Sequence, residues 1–200
     1  MTGSRTALAG ARARKTRVGA LVAGLLLAGG CSQAAGEVTP KASPSTVVAM
    51  RLDAPERLLD TWPESTSRIS HDQAQQVMAH FKTLLDGEPT SAVGSAYAPL
   101  DERHTILVGG VSGVVPDPVR TVDGVFAGLP RLTDVKPVPP GQLGGETRCG
   151  RARSDGVDVV VCVWVDRHTI GMVSFLGLPP KEDTTDLFLR VRAQLEHPAA

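Results

Sequence analysis

The chain has 200 residues, with 21 Lys plus Arg balanced by 21 Asp plus Glu, and an ordinary globular share of hydrophobic residues at 42%. Five basic residues (Arg5, Arg12, Arg14, Lys15 and Arg17) precede the first acidic one, Glu37, so a chain cut near residue 30 carries a net charge of about −5. That sign, with no basic stripe, argues against a nucleic-acid binder. About 150 folded residues make one domain and bury roughly 68–70% of their surface without help from a metal.

Residues 1–17 hold the five positive charges and no acid, Val18 to Ala28 is apolar apart from glycine, and Gly29-Gly30 stand before Cys31. This is the order of a secretory signal: charged region, short apolar region, small-residue cleavage site. The uncharged run from Val18 to Cys31 falls short of the roughly 20 apolar residues a bilayer-spanning helix needs; a retained anchor is the alternative. The stretch Leu27-Ala28-Gly29-Gly30-Cys31 resembles the lipobox of bacterial lipoproteins, with Ala28 standing where Leu is more usual. The resemblance implies that the Cys31 thiol receives a diacylglyceryl group, that a peptidase cuts before it, and that Cys31 becomes the N-terminus. Ordinary cleavage leaving a free thiol is the other reading. With about 0.8 kcal/mol from each buried methylene, two acyl chains hold a protein stably on a membrane. The expected organisation is a signal peptide over 1–30, a lipidated Cys31 with a flexible tether to 46, and one domain over 47–197. The expected location is the extracytoplasmic face of the cell membrane. The tether (SQAAGEVTPKASPST) is small, polar and proline-punctuated. The absence of Asn, with only three Ile and sixteen Arg to five Lys, is the mark of a GC-rich genome.

Along the domain, Val47–Leu52 is a first short strand, and DAPERLLDTWPESTSR is turn-rich with Trp62 as its packing anchor. A capping box of Ser70 and Gln73 opens a helix that buries Ala74, Val77, Met78, Phe81, Leu84 and Leu85, and Gly87 and Pro89 close it. Strands follow over 91–100 and 105–111. Asp117 as N-cap and Pro118 at the first helical position start a second helix, which buries Val119, Val122, Val125, Phe126 and Leu129. Further strands are predicted over 132–138, 145–154, 157–166 and 169–176. A last helix runs from Asp183 or Thr184 to about Glu196, with Leu187, Phe188, Val191 and Leu195 facing inward. No parallel β-α-β rhythm is visible. The fold class is α+β, a mostly antiparallel sheet of about five to six strands flanked by about three helices.

Three cysteines are an odd number, and a lipid on Cys31 leaves two to pair. Asp155-Gly156 is a strong signal for a two-residue type I′ hairpin turn. That turn sets Ser154 opposite Val157 and therefore Cys149 opposite Cys162, at a non-hydrogen-bonded pair with Cα atoms about 4.5 Å apart. A Cys149–Cys162 disulfide follows, unless both remain reduced core cysteines. The same register pairs Arg153 with Asp158. It sends Val157, Val159, Val161, Val163 and Val165 to one face and Cys162 and Trp164 to the other, so both faces need covering.

The Cys149-Gly150 strand and the run Cys162-Val163-Trp164-Val165-Asp166-Arg167-His168-Thr169-Ile170-Gly171-Met172-Val173, followed by an amphipathic C-terminal helix, resemble uncharacterised secreted lipoproteins of actinobacteria. Their pattern is C-x-W-x-D, a short turn, then T-[VI]-G-x-V, and the likeness covers roughly residues 90–196. Arg167-His168 fills a turn where smaller residues are common. The resemblance implies an extracytoplasmic, membrane-linked protein and no particular activity.

Chemistry is harder to find. Gly110-Val111-Ser112-Gly113-Val114 lacks the final Gly of a GxSxG nucleophile elbow, and Gly109-Gly110 has no following Lys for a phosphate loop. No HExxH, CxxC or paired-His spacing suggests zinc. Arg-His-Thr-Ile occurs at 103–106 and again at 167–170, so His104 and His168 could converge on a ligand or simply leave two exposed turns. His71 and His80 read as solvent-facing, and Glu182, Asp183 and Asp186 complement a helix dipole. No catalytic, metal or cofactor-binding residue is assigned; the site residues are Cys31 for lipid and Cys149 with Cys162 for the bridge. The expected function is a non-catalytic binding or interaction module of the cell envelope, its partners the membrane and an envelope ligand or protein. The rival is an envelope hydrolase with a dyad drawn from distant residues. An apolar groove without convergent titratable groups favours the first, and a pocket with a perturbed acid, His or Ser favours the second.

Overall fold

The computed structural model describes residues 49–99, 103–129, 131–178 and 183–199. The predicted signal segment, Cys31 and the tether lie outside them. Ten strands and three helices follow in chain order. β1 (Met50–Leu52), β2 (Arg57–Leu58) and β3 (Trp62–Pro63) precede α1 (Arg68–Lys82). β4 (Ser91–Tyr97) and β5 (Thr105–Ser112) lead to α2 (Pro118–Ala127). β6 (Thr133–Pro137), β7 (Glu146–Ser154), β8 (Val157–Val165) and β9 (Thr169–Leu176) come next. α3 (Thr184–Leu195) runs directly into β10 (Glu196–Pro198). Six strands form one antiparallel sheet in the order β4-β5-β9-β8-β7-β6, which is the α+β arrangement expected.

Strand alternation divides the core in two. One face carries Cys162, Trp164, Val173 and Phe175 and is covered by Leu187, Phe188, Val191 and Leu195 of α3 with Leu52 and Leu58 of the N-terminal segment. The other carries Val161, Val163, Val165, Ile170 and Met172 under Phe81 of α1 and Val122 and Val125 of α2. Trp62 is half-buried against the first cluster, the anchoring role expected of it. The hairpin register holds residue by residue. Ser154 faces Val157, Arg153 faces Asp158, and Cys149 faces Cys162. Asp155 (φ 50°) and Gly156 (φ 83°) both adopt the positive φ of a type I′ turn, and a disulfide joins the cysteines across Cα atoms 4.1 Å apart.

Several details differ, and α1 stops at Lys82, short of the predicted close at Gly87 and Pro89, with Leu84 and Leu85 outside the helix. α1 starts earlier than predicted, because Ser67 and not Ser70 is the N-cap: its hydroxyl accepts from the Ser70 amide at 3.3 Å. Val119 is not buried but half exposed (50%), since α2 turns Val122 and Val125 to the sheet and leaves its first turn outside. β10 was not foreseen. It pairs antiparallel with β1, Leu52 opposite Glu196, so the chain's two described ends clasp each other. β6 is broken by a register shift between Thr133 and Lys136, with Asp134 at φ 52°.

The W-x-D and T-[VI]-G residues prove to be one packing unit. Trp164 lies opposite Gly171 across β8 and β9, and a Cβ added at Gly171 would sit 2.1 Å from the indole carbons. Only glycine lets the fully buried ring lie flat on the neighbouring strand. Gly171→Ala should destabilise the domain by about 1–3 kcal/mol, the usual scale for overpacking a rigid core. Denaturant titration of the two proteins checks this.

Candidate functional site

Three places bring polar or apolar groups together. The most charged is a buried network where α3 meets the turn between β8 and β9. Arg192 sits on the inward stripe of α3 and is completely buried. Its Nε donates to Glu196 Oε2 (2.7 Å), one terminal nitrogen to the carbonyls of Gly144 (2.8 Å) and Pro140 (3.3 Å), and the other to Asp166 Oδ2 (3.3 Å). Asp166 Oδ1 accepts from the amides of His168 (2.6 Å) and Thr169 (2.8 Å), closing the turn. Trp164 Nε1 donates to the Thr169 hydroxyl at 3.2 Å, and the guanidinium stacks 5.5 Å from the indole centre.

The Thr169 hydroxyl lies 2.8 Å from Asp166 Oδ2 and 3.0 Å from Glu196 Oε1, yet it has a single proton to donate. Two carboxylates also share one guanidinium. A proton on Glu196 would satisfy both deficits. Its pKa is accordingly raised, first by burial and further by the Asp166 charge, against the opposing pull of Arg192 and Thr169. The folded state therefore holds that proton at pH values just above the ordinary glutamate pKa of 4.5, where the unfolded chain has released it. Stability should fall as pH rises through that window. Asp53 works in a lower one: Arg51 and then His197 hold its carboxyl below 3.8, so its contribution is lost only as pH falls through the lowered value. Glu196→Gln should flatten the slope above pH 4.5 in denaturant unfolding at stepped pH. An undiminished slope would locate the titration elsewhere.

Beside this network lies an open cavity of about 640 Å³, reached by Glu146, Asp166, Arg167, His168 and Glu196 and floored by apolar Met50 and Leu143. Glu196 and Asp166 enter it with their oxygens already engaged.

The second feature is a cleft of about 340 Å³ between α1 and α2 on the opposite face. Phe81 and Val77 form one wall, Val125 and Leu129 the other, and Met172 of β9 lines it from the sheet, with Gln73, Gln76 and His80 of α1 completing the lining. Among the described residues, no Lys, Arg, Asp or Glu lines it. Phe81 of α1 and Val125 of α2 are buried against the sheet, while Val77 of α1 and Leu129, just past the end of α2, are half-buried.

The third is the hydroxyl cluster of Ser112. This serine is fully buried and bonds Ser91 Oγ (2.6 Å) and Thr90 Oγ1 (2.8 Å), and Ser91 Oγ accepts from the Leu52 amide at 2.7 Å. Ser112 thus stitches β1 and β4 to β5 and presents no free nucleophile. The two Arg-His-Thr-Ile copies do not converge. Thr105 pairs with Leu176 and Thr169 with Ser112 along the β5–β9 ladder, so His104 and His168 lie just beyond opposite ends of a ladder roughly 24 Å long. His104 Nδ1 bonds the Gly177 carbonyl at 2.6 Å. His71 is half-buried rather than solvent-facing, with Nε2 donating to the Ser65 carbonyl at 2.8 Å; His80 is exposed as expected. Asp183 caps α3.

Sequence reasoning missed Arg192, Glu196 and the cleft. Arg192 had a signal: it occupies the same stripe as Phe188, Val191 and Leu195, one turn before Glu196. The cleft had none, because a gap between two helices belongs to their spacing. Among the described residues no helix is long and apolar enough to cross a membrane, and no three His, Cys, Asp or Glu are placed to hold a metal ion. Compared with protein-family models, curated proteins and solved structures, the chain matches none.

Proposed function

We propose that the protein is a lipid-anchored, extracytoplasmic binding module of the cell envelope, with the α1–α2 cleft as its ligand site. The observation that carries the binding role is the cleft itself. It is concave, apolar and of ligand size, within the roughly 300–1,000 Å³ of small-molecule pockets, and His80 is the only ionisable residue among the described residues that line it. The order of residues 1–31 supports the anchor, and the Cys149–Cys162 bridge accords with an oxidising compartment.

Two measurements test this. Metabolic labelling with an alkyne palmitate analogue should mark the wild type and not Cys31→Ser; equal label on both would sink the anchor. The folded chain should bind the uncharged apolar dye N-phenyl-1-naphthylamine saturably, and Leu129→Arg, which puts a charge into the cleft, should weaken it by roughly ten-fold, about 1.4 kcal/mol. Wild-type protein that shows no saturable signal would sink the binding role.

The hydrolase reading has one observation on its side, the raised pKa of Glu196 in a cavity that His168 also lines. Both Glu196 oxygens are engaged by Arg192 and Thr169, which favours a structural role. Turnover of ester, peptide or glycan substrates that vanishes in Glu196→Gln with folding intact would reverse that preference.

A further inference from the structure

Resting on the binding-module reading, we infer that the α1–α2 cleft takes one hydrocarbon chain of a membrane phospholipid, leaving the headgroup in solvent. Three observations choose this occupant. First, the described lining residues carry no Lys, Arg, Asp or Glu, so none of them offers a fixed charge to a phosphate, a carboxylate or an amine. Second, the walls and floor (Phe81, Val125, Leu129, Met172) are hydrocarbon apart from one thioether, and the polar side chains among the described lining residues, Gln73, Gln76 and His80, are exposed. A peptide inserted there would leave its own amides and carbonyls unpaired, at a cost no apolar contact offsets; a hydrocarbon chain has none to satisfy.

The third observation is the shape of the opening. Gln73, Gln76 and His80 recur at helical spacing along α1, and one turn further toward the N-terminus the same stripe carries Ile69, 73% exposed and the most exposed large apolar residue described. An exposed apolar side chain therefore lies in line with the cleft, one turn past Gln73, where a chain longer than the cleft would meet it. The carboxamides of Gln73 and Gln76 stand beside that path, able to bond a neutral ester. Supply is no obstacle. The anchor of the proposed function would itself hold the protein at a bilayer.

The test uses the full chain in vesicles of phosphatidylethanolamine and phosphatidylglycerol carrying a trace of phosphatidylcholine with a terminal diazirine on one acyl chain. Irradiation followed by peptide mapping should place lipid adducts on the segments of α1, α2 and β9 that line the cleft. Gln76→Trp, a bulky ring at an exposed lining position that leaves the core alone, should reduce them by roughly ten-fold. Moving the diazirine chain to phosphatidylglycerol should leave the yield unchanged, because no residue there reads headgroup charge. Adducts confined to N-terminal peptides, adducts that persist in Gln76→Trp, or protein–protein cross-links at the cleft in place of lipid would overturn the inference. Failure of the anchor gives a different result: protein that does not float with the vesicles but still takes up a diazirine fatty acid from solution, in the cleft and sensitively to Gln76→Trp.

Discussion

Arg192→Met is expected to destabilise the domain by about 3–5 kcal/mol, the scale on which buried charge pairs fail when one partner is removed. Methionine approximately fills the space, so lost packing is a minor part. The cost lies in what stays behind. Asp166 and Glu196 would face each other across Thr169 with no cation between them, and the carbonyls of Gly144 and Pro140 would lose their donor. The indole of Trp164 would lose the guanidinium stacked on it. Burial and the Asp166 charge already raise the Glu196 pKa, and losing the guanidinium removes the first pull against that rise, so the variant should be less damaged at pH 5 than at pH 8. Pairing the change with Glu196→Leu removes the orphaned acid and should recover much of the loss. Midpoints of denaturant unfolding at the two pH values, with unchanged m, are the readout. A loss below about 1 kcal/mol would mean that water reaches the network and that the pair is a surface ornament.

This network shows why the fold was readable and its polar centre was not. Local rules determined the hairpin: Asp155-Gly156 admits one turn type, and register follows by counting. Asp117-Pro118 likewise began α2 where capping chemistry requires. Nothing local told that Arg192 would meet Asp166, 26 residues away, because that contact depends on how α3 crosses the sheet. A charged residue on an apolar stripe was the available hint. Ser70 misled for a related reason: two serines three residues apart can each serve as a cap, and here the Ser67 hydroxyl takes the Ser70 amide while the Ser67 carbonyl takes the His71 amide. β10 was invisible because three residues of Glu-His-Pro have no strand signal until β1 lies beside them. The conspicuous likeness among residues 162–173 is now physical: Trp164, Asp166, Thr169 and Gly171 hold a turn and seat a ring. They are the fold's fastening, on the opposite face of the sheet from the apolar cleft.

The other large effect concerns the bridge. Replacing Cys149 or Cys162 by Ala should lower stability by about 2–4 kcal/mol. In the chain-entropy account a 14-residue closed loop is worth roughly 3 kcal/mol, and less where the unfolded hairpin already holds some structure. Here Asp155-Gly156 favours the turn by itself, which pulls the expected value down; Cys162 is fully buried beneath α3, and the void its sulfur would leave pulls it up. Gly156→Val should act through the turn instead. The site has open space, but its φ of 83° resists a β-branched residue, and the two changes together should cost less than their sum because they weaken one hairpin. The register makes the claim unforgiving: a slip of one residue sends the two side chains to opposite faces of the sheet, where no bridge can form. Peptide mapping without reduction, on protein isolated from the cells that make it, decides it. Free thiols at both positions would refute the bridge, and with it the oxidising compartment on which the extracytoplasmic reading leans.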